Sequence, residues 1–343
     1  MATSVHRRVR LFSLMLLVLC ASAGRGFAAD AAHTVALRLE WLPSGYQAPF
    51  YLAAAKGWYQ KAGLSVTIEQ GNGSNTTVQL VNAGQYDIGH AALSSVAVAR
   101  NKGMSVRAVA SFFRKGDMAL MVSEDSGVKG PADLKGKKII YSAASFEGPF
   151  LAPFLAKGGV TPDQLLLMNV DANARIPTYV NGDADGIFGS PVGTGVVIAE
   201  KRPTRFVLFA DFDMNMPGFG LFTTEAKLQQ KGEALRQFVS LSCGAWAYIV
   251  AGHQDEAVEA LLKARAQDRL EPSLMKKQLE DSFAFLYTPA TAGQPIGLQA
   301  ESDWAAALKV MEIAKVIDPG SKPTDYFTND YIDPALIKAT AGG

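Results

Sequence analysis

From His33 onward, short runs in which every second residue is apolar alternate with longer runs in which apolar residues recur every three or four positions. A period of two belongs to a half-buried strand and a period near 3.6 to a helix. Val35, Leu37, Leu39 and Trp41 alternate with Ala36, Arg38 and Glu40, which predicts a first strand with Glu40 on its polar side. Residues 48–61 predict a helix closed by Gly63, and 66–69 a second strand. A helix over 76–82 follows, capped by Ser74 or Asn75. Strand 86–89, helix 95–102 and strand 106–112 complete a β-α-β-α series, an order that predicts parallel pairing in one sheet.

The rhythm changes near Met121. A polar, turn-rich connector at 130–138 leads into a second series, with strands at 138–141, 165–170, 186–188 and 205–209 and helices at 149–157 and 176–181. Residues 216–223 read as the chain's return, and helices then dominate, at 235–250, 255–266, 273–285 and 304–317. The pattern therefore predicts an α/β fold of two lobes with a mostly parallel sheet in each and a helical C-terminal part. Lobe I is discontinuous, 34–121 and 221–335, lobe II is 122–220, and the two crossing segments form a hinge. A length of 343 residues with 48% hydrophobic and 19% charged positions suits two such units.

The first ten residues carry His6, Arg7, Arg8 and Arg10 without an acid and run into Leu11 to Cys20, followed by small residues. Basic start, short apolar core and small-residue exit predict a secretory signal peptide over 1–28, since a membrane span needs roughly 20 apolar residues. The remainder holds 29 basic against 32 acidic side chains and no basic cluster, which argues against a nucleic-acid partner. Cys243 is the one cysteine left after such cleavage, so an internal disulfide is excluded and the residue reads as a small buried apolar group.

Chemistry is sparse. There is no G-x-S-x-G elbow, no H-E-x-x-H pair and no phosphate-cradling glycine loop. Beyond residue 28 the only histidines are His33, His90 and His253, too scattered to predict a metal site. In open α/β sheets ligands gather at the carboxyl ends of strands, so the loops there supply the candidate ligand-binding residues. These are Trp41, Tyr46 and Gln47; Ser74 and Asn75; His90 and Ser94; Ser145, Phe146 and Glu147; and Phe188 and Ser190. Trp41 reads equally as cleft wall or strand-end core, Asn75 as cap or contact, and His90 as a buried structural residue or a ligand reader. Phe146 and Phe188, surrounded by small residues, read as contacts, and Asp87 reads as structural. Aromatics in three of the five loops favour a planar ring held by stacking, and no Arg or Lys lies in those loops to favour an anion.

The run Leu39-Glu40-Trp41-Leu42-Pro43-Ser44-Gly45-Tyr46-Gln47-Ala48-Pro49-Phe50-Tyr51, with Lys56-Gly57-Trp58-Tyr59, resembles the periplasmic binding proteins for thiamine-pyrimidine precursors, sulfonates and nitrate. The likeness continues through Gly73 to Thr77, Leu80 to Gly89, Ser123 to Val128, Asp133 to Lys138 and Gly244 to Tyr248, in the family's order. The resemblance implies a type II periplasmic binding fold. It also implies a small-molecule ligand gripped between lobes, a monomer, a periplasmic location, and an ABC permease as partner, with no catalytic residue and no cofactor. A thiamine-pyrimidine-like heterocycle is the expected ligand, with sulfonate, nitrate or flavin as alternatives. The pyrimidine binders usually carry an acid after the strand holding Phe188, where this chain has Gly189-Ser190-Pro191, and Glu147 of the neighbouring loop is the acid expected to replace it. The family's eukaryotic pyrimidine synthases share the fold and form the enzymatic alternative. Their reactive histidine aligns with Gln47, and their Cys-rich run has no counterpart here.

Overall fold

The structure, a computed structural model, describes residues 33–342; the segment 1–28, expected to be a signal peptide, lies outside them. Strands β1 (Thr34–Arg38), β2 (Ser65–Glu69), β3 (Ile88–Ala92) and β4 (Val106–Ser111) belong to a first sheet. Strands β5 (Ala119–Ser123), β6 (Lys138–Tyr141), β7 (Leu166–Asn169), β8 (Gly186–Gly189) and β9 (Thr204–Leu208) form a second. The chain then returns to the first sheet as β10 (Phe219–Thr224), giving the orders β2-β1-β3-β10-β4 and β7-β6-β8-β5-β9.

Four strands of each sheet run one way and one runs against them. The reversed strand is in each case the one that has just crossed from the other lobe, β5 in the second sheet and β10 in the first. The expected unbroken parallel series β1 to β4 is corrected accordingly, because β10 inserts antiparallel between β3 and β4. The two crossings then lie side by side and pair. Phe112 N and Phe113 N donate to Phe219 O at 2.9 and 2.8 Å, Gly218 N to Phe113 O at 3.0 Å, and Phe209 N to Met118 O at 3.0 Å. The two crossings are irregular segments between the sheets, held to each other and to the sheet ends by these backbone hydrogen bonds.

Several boundaries shift. The expected lobe divide after Met121 falls inside β5, all of which pairs in the second sheet, and β10 joins the first sheet from Phe219 rather than 221. The first lobe also extends past 335, since helix Pro334–Ala341 packs on helix Glu225–Val250 where Thr340 meets Gly244. The helix expected over 48–61 is two, Ala48–Ala55 and Trp58–Lys61, parted by Gly57 at φ 68°. Strand β3 begins later than expected and runs to Ala92, which puts His90 inside the sheet instead of in the loop after it.

The first-lobe core forms where helix Glu225–Val250 lays Leu235, Phe238, Val239 and Trp246, all buried, against the sheet. Each fully buried side chain of this size contributes about 2–3 kcal/mol. Asp87 is structural: it accepts Ala36 N at 3.0 Å, Lys227 Nζ at 2.7 Å and Lys231 Nζ at 2.8 Å, tying β1, β3 and that helix together. Burial pushes its carboxyl up, but the two ammonium groups outweigh that and hold it below the ordinary range. Cys243 is buried, as expected, with burial raising its thiol to about 12. Among the described residues no helix is long and apolar enough to cross a membrane.

Candidate functional site

Strand β1 ends at Arg38, and the alternation expected through Trp41 fails beyond it. Glu40, expected on the polar side, is 2% exposed. Its Oε1 accepts the Tyr46 hydroxyl at 2.7 Å and Gln47 Nε2 at 2.8 Å, and its Oε2 is held against His90 Nδ1. Burial pushes this carboxyl up, yet pairing with His90 and the hydrogen bonds from His90 and Tyr46 prevail and keep it low. Three of the sequence-predicted residues thus converge on one carboxylate that had not been singled out. Gln47 and His90 do so from inside the fold: Gln47 is fully buried and its Oε1 accepts Ser44 N, while the His90 ring lies among Phe50, Phe112 and Phe219. They orient the cleft and do not line its cavity.

The edge of the first lobe is the start of helix Ser74–Asn82. Gly73 is its N-cap, so neither Ser74 nor Asn75 caps it. Ser74 Oγ instead accepts Ala92 N at 3.1 Å. Asn75 reaches the second lobe: its Nδ2 donates to Ser145 O at 2.6 Å and Ala143 O at 3.2 Å, and its N–H to Ala144 O at 3.0 Å. Gly73, at φ 147°, permits this approach, because a Cβ there would stand 2.1 Å from Ala144 O.

From the second lobe, Glu147 is fully buried with Oε1 accepting Arg175 Nη2 at 2.8 Å. Arg175, on helix Ala172–Val180, also donates to Phe188 O, and its guanidinium lies over the Trp41 ring, 5.4 Å from the centroid. The expectation of a site without a cation is corrected here. The helix carries Arg175 into the cleft from outside the strand-end loops. Phe188 is corrected as well: its ring is edge-on to Phe154 and Phe209 in the second-lobe core, and only its carbonyl serves the site. Ser190 Oγ donates to Asp117 and accepts Gly193 N at 3.1 Å. Asp117, on the outgoing crossing, is 2% exposed, and burial, opposed by the Ser190 hydrogen bond, raises its carboxyl to about 7.

Between the lobes lies a cavity of about 20 Å³ among Glu40, Trp41, Tyr46, Phe146, Arg175 and Ser190, with Ser74 and Ser145 also on its wall. A second of about 10 Å³ touches Ser94, Asp117 and Phe146. Tyr46 and Phe146 both pack on Phe219, at centroid distances of 5.5 Å, which joins the aromatic walls. Arg175 Nε beside the first cavity and Ser94 Oγ beside the second are buried without a hydrogen-bond partner, as is Oε2 of Glu147, the acid paired with Arg175. Buried polar groups are normally paired, which makes these atoms candidate partners for a ligand. Outside Trp41 an open groove of about 380 Å³ runs past Pro43, Ile176, Thr194 and Leu274. Among the described residues no group of three or more His, Cys, Asp or Glu side chains is placed to hold a metal ion.

Glu40, Asp117 and Arg175 were missed by sequence reasoning. Glu40 lies inside the run Leu39 to Tyr51 that carries the family resemblance, which could have drawn attention to it. Arg175 and Asp117 carried none, because their burial arises only when the lobes and crossings meet.

A family model described as "NMT1/THI5 like" matches residues 44–257. The formylaminopyrimidine-binding protein of Halalkalibacterium halodurans is 26% identical over 88% of this chain and 93% of its own length. The riboflavin-binding protein RibY of Chloroflexus aurantiacus is 23% identical over 87% and 86%. Among solved structures, a protein of Bordetella bronchiseptica superposes with a TM-score of 0.71 at 23% identity, covering 90% of this chain and 97% of that one. The alkanesulfonate-binding protein SsuA of Xanthomonas axonopodis superposes with a TM-score of 0.66 at 14% identity over 86% and 98%. The two-lobed α/β architecture is shared with these solved structures.

Proposed function

This chain belongs to the NMT1/THI5-like family, and on that premise we propose that it is an exported solute-binding receptor of an ABC importer, trapping a planar nitrogen heterocycle between its lobes without altering it. The observation that carries the reading is the inter-lobe space, where aromatic walls from Trp41, Tyr46 and Phe146 stand beside Arg175 and Ser94, whose Nε and Oγ are buried and unpaired. An aminopyrimidine offers a flat face to the aromatics and N–H donors to the acids. Arg175 does not turn the site toward sulfonate or nitrate, because Glu147 balances its charge at 2.8 Å and two further acids, Glu40 and Asp117, stand close by.

A cavity of about 20 Å³ holds no more than about one water, so a ring is admitted only with the lobes apart. Closure then supplies the grip, and the paired crossings supply the hinge. Relatives that bind formylaminopyrimidine and riboflavin support a heterocycle. Delivery to a membrane permease, a periplasmic location after removal of residues 1–28, and a monomeric state belong to the same reading. The resemblance to the pyrimidine synthases implies a lysine-bound pyridoxal cofactor for an enzymatic role, with Lys56 or Lys61 as the candidate lysines; Lys56 is engaged by Glu256 at 3.1 Å and Tyr248 at 3.2 Å, and neither lysine lines the inter-lobe space.

Native mass spectrometry of freshly purified protein, followed by calorimetric titration with formylaminopyrimidine, riboflavin and an alkanesulfonate, tests the proposal. Binding of a heterocycle recovered chemically unchanged is the expected result. Turnover of it, or tighter binding of the sulfonate, overturns it.

A further inference from the structure

A second pocket, of about 370 Å³, lies behind the hinge. One wall is the returning crossing, with Ala210, Met216 and Pro217, whose other side faces the small cavity beside Ser94 and Asp117. The opposite wall is helix Glu301–Ile313, presenting Trp304, Ala307 and Val310. Its volume falls within the range of about 300–1,000 Å³ usual for small-molecule sites, and no residue of it belongs to the ligand set described above.

Arg114 lines this pocket and is 6% exposed. Its Nη2 donates to Pro295 O, and the Tyr287 ring lies 5.3 Å from the guanidinium carbon. Nε and Nη1 are buried without a hydrogen-bond partner, and among the described residues no carboxylate stands within ion-pair distance of the group. A buried guanidinium with two unmade bonds is a costly arrangement unless something completes it. Burial also lowers its pKa from the ordinary arginine value, in keeping with a charge held out of water.

We propose that this hinge pocket binds a small organic monoanion, with a carboxylate against Arg114 and an apolar body against Trp304 and Val310. Two acids set the charge limit. Asp303 lines the pocket with Oδ2 accepting Thr288 Oγ1 at 2.6 Å, and the Asp213 side chain stands almost fully exposed at the rim. They repel a second negative charge, so phosphate and dicarboxylates are poor occupants. The walls are apolar enough for a ring or a short alkyl chain.

Benzoate is the probe, with neutral benzamide as its isostere, each titrated into the intact protein by calorimetry and by ligand-observed NMR. Saturable benzoate binding, at least tenfold tighter than benzamide, is expected. Arg114→Gln should weaken benzoate at least tenfold while Arg114→Lys restores part of it. Ala306→Phe, on the exposed edge of the opposite wall, should block the pocket without touching Arg114 and so covers the case in which Arg114→Gln does not fold. Benzamide binding as well as benzoate, undiminished benzoate affinity in Ala306→Phe, or no saturable benzoate binding each overturns the proposal.

Discussion

The guanidinium carbon of Arg175, on the second lobe, stands 5.4 Å from the centroid of the Trp41 ring, on the first. Trp41 also separates the small inner cavity from the groove outside it. One cation–π pair therefore borders the space and joins the lobes, since a cation over an indole face is attracted by the ring's quadrupole.

Replacing Trp41 by alanine is expected to weaken formylaminopyrimidine binding by about 1–2 kcal/mol, roughly 5- to 30-fold, while leaving the melting temperature nearly unchanged. The side chain is half-buried at the cleft and lies outside both cores. Calorimetry and thermal denaturation on the same sample separate the two effects. A collapse in stability with unaltered affinity would return Trp41 to the core.

Gln278 bridges the lobes through both ends of one amide: Oε1 accepts Gly45 N at 2.8 Å and Nε2 donates to Gly193 O at 2.7 Å. Gln278→Ala removes both bonds, yet its helix stays anchored by Met275 and Leu279. The expected outcome is a shift toward the open form, seen as a larger radius of gyration in small-angle scattering, with ligand affinity lower by about 1–3 kcal/mol. An unchanged radius would mean that the bridge does not govern closure.

Glu40 holds Tyr46, Gln47 and His90 from a buried position. Truncation to alanine strands those partners, so Glu40→Ala should destabilise the protein by about 3–5 kcal/mol in urea titration. Glu40→Gln, which retains an acceptor for the Tyr46 hydroxyl, should cost less. Equal losses in the two variants would show that shape at this position outweighs the polar network.

Asp117 carries a carboxyl raised by burial to about 7. An unfolded aspartate titrates near ~3.9, so between these values the native state holds the extra proton. The stability due to this group is complete below the lower value and is lost as pH rises through about 7. Asp117→Asn should lack that loss: wild type is expected to fall relative to the variant, on the order of a few kcal/mol, between pH ~4 and ~8. Melting curves of both proteins across that range measure the difference, and parallel profiles would place the Asp117 titration elsewhere.

Alternation and helical spacing along the chain determined the α/β class, most of the strands and the two-lobe division, because those patterns record which face of each local element is buried. They located the Trp41, Tyr46, Ser145 and Ser190 loops at the strand ends for the same reason. What only the tertiary structure decided is which groups meet. Phe188 fell into the second-lobe core because Phe154 and Phe209 enclose it, although small residues flank it in sequence. Arg175 became a cleft residue because a helix from one lobe is brought over Trp41 of the other. Asp117 became buried because two crossings far apart in the chain pair side by side. Local spacing reports a residue's own face, whereas charge pairing and burial across a hinge depend on segments 70 to 130 positions away, and no short pattern encodes that distance.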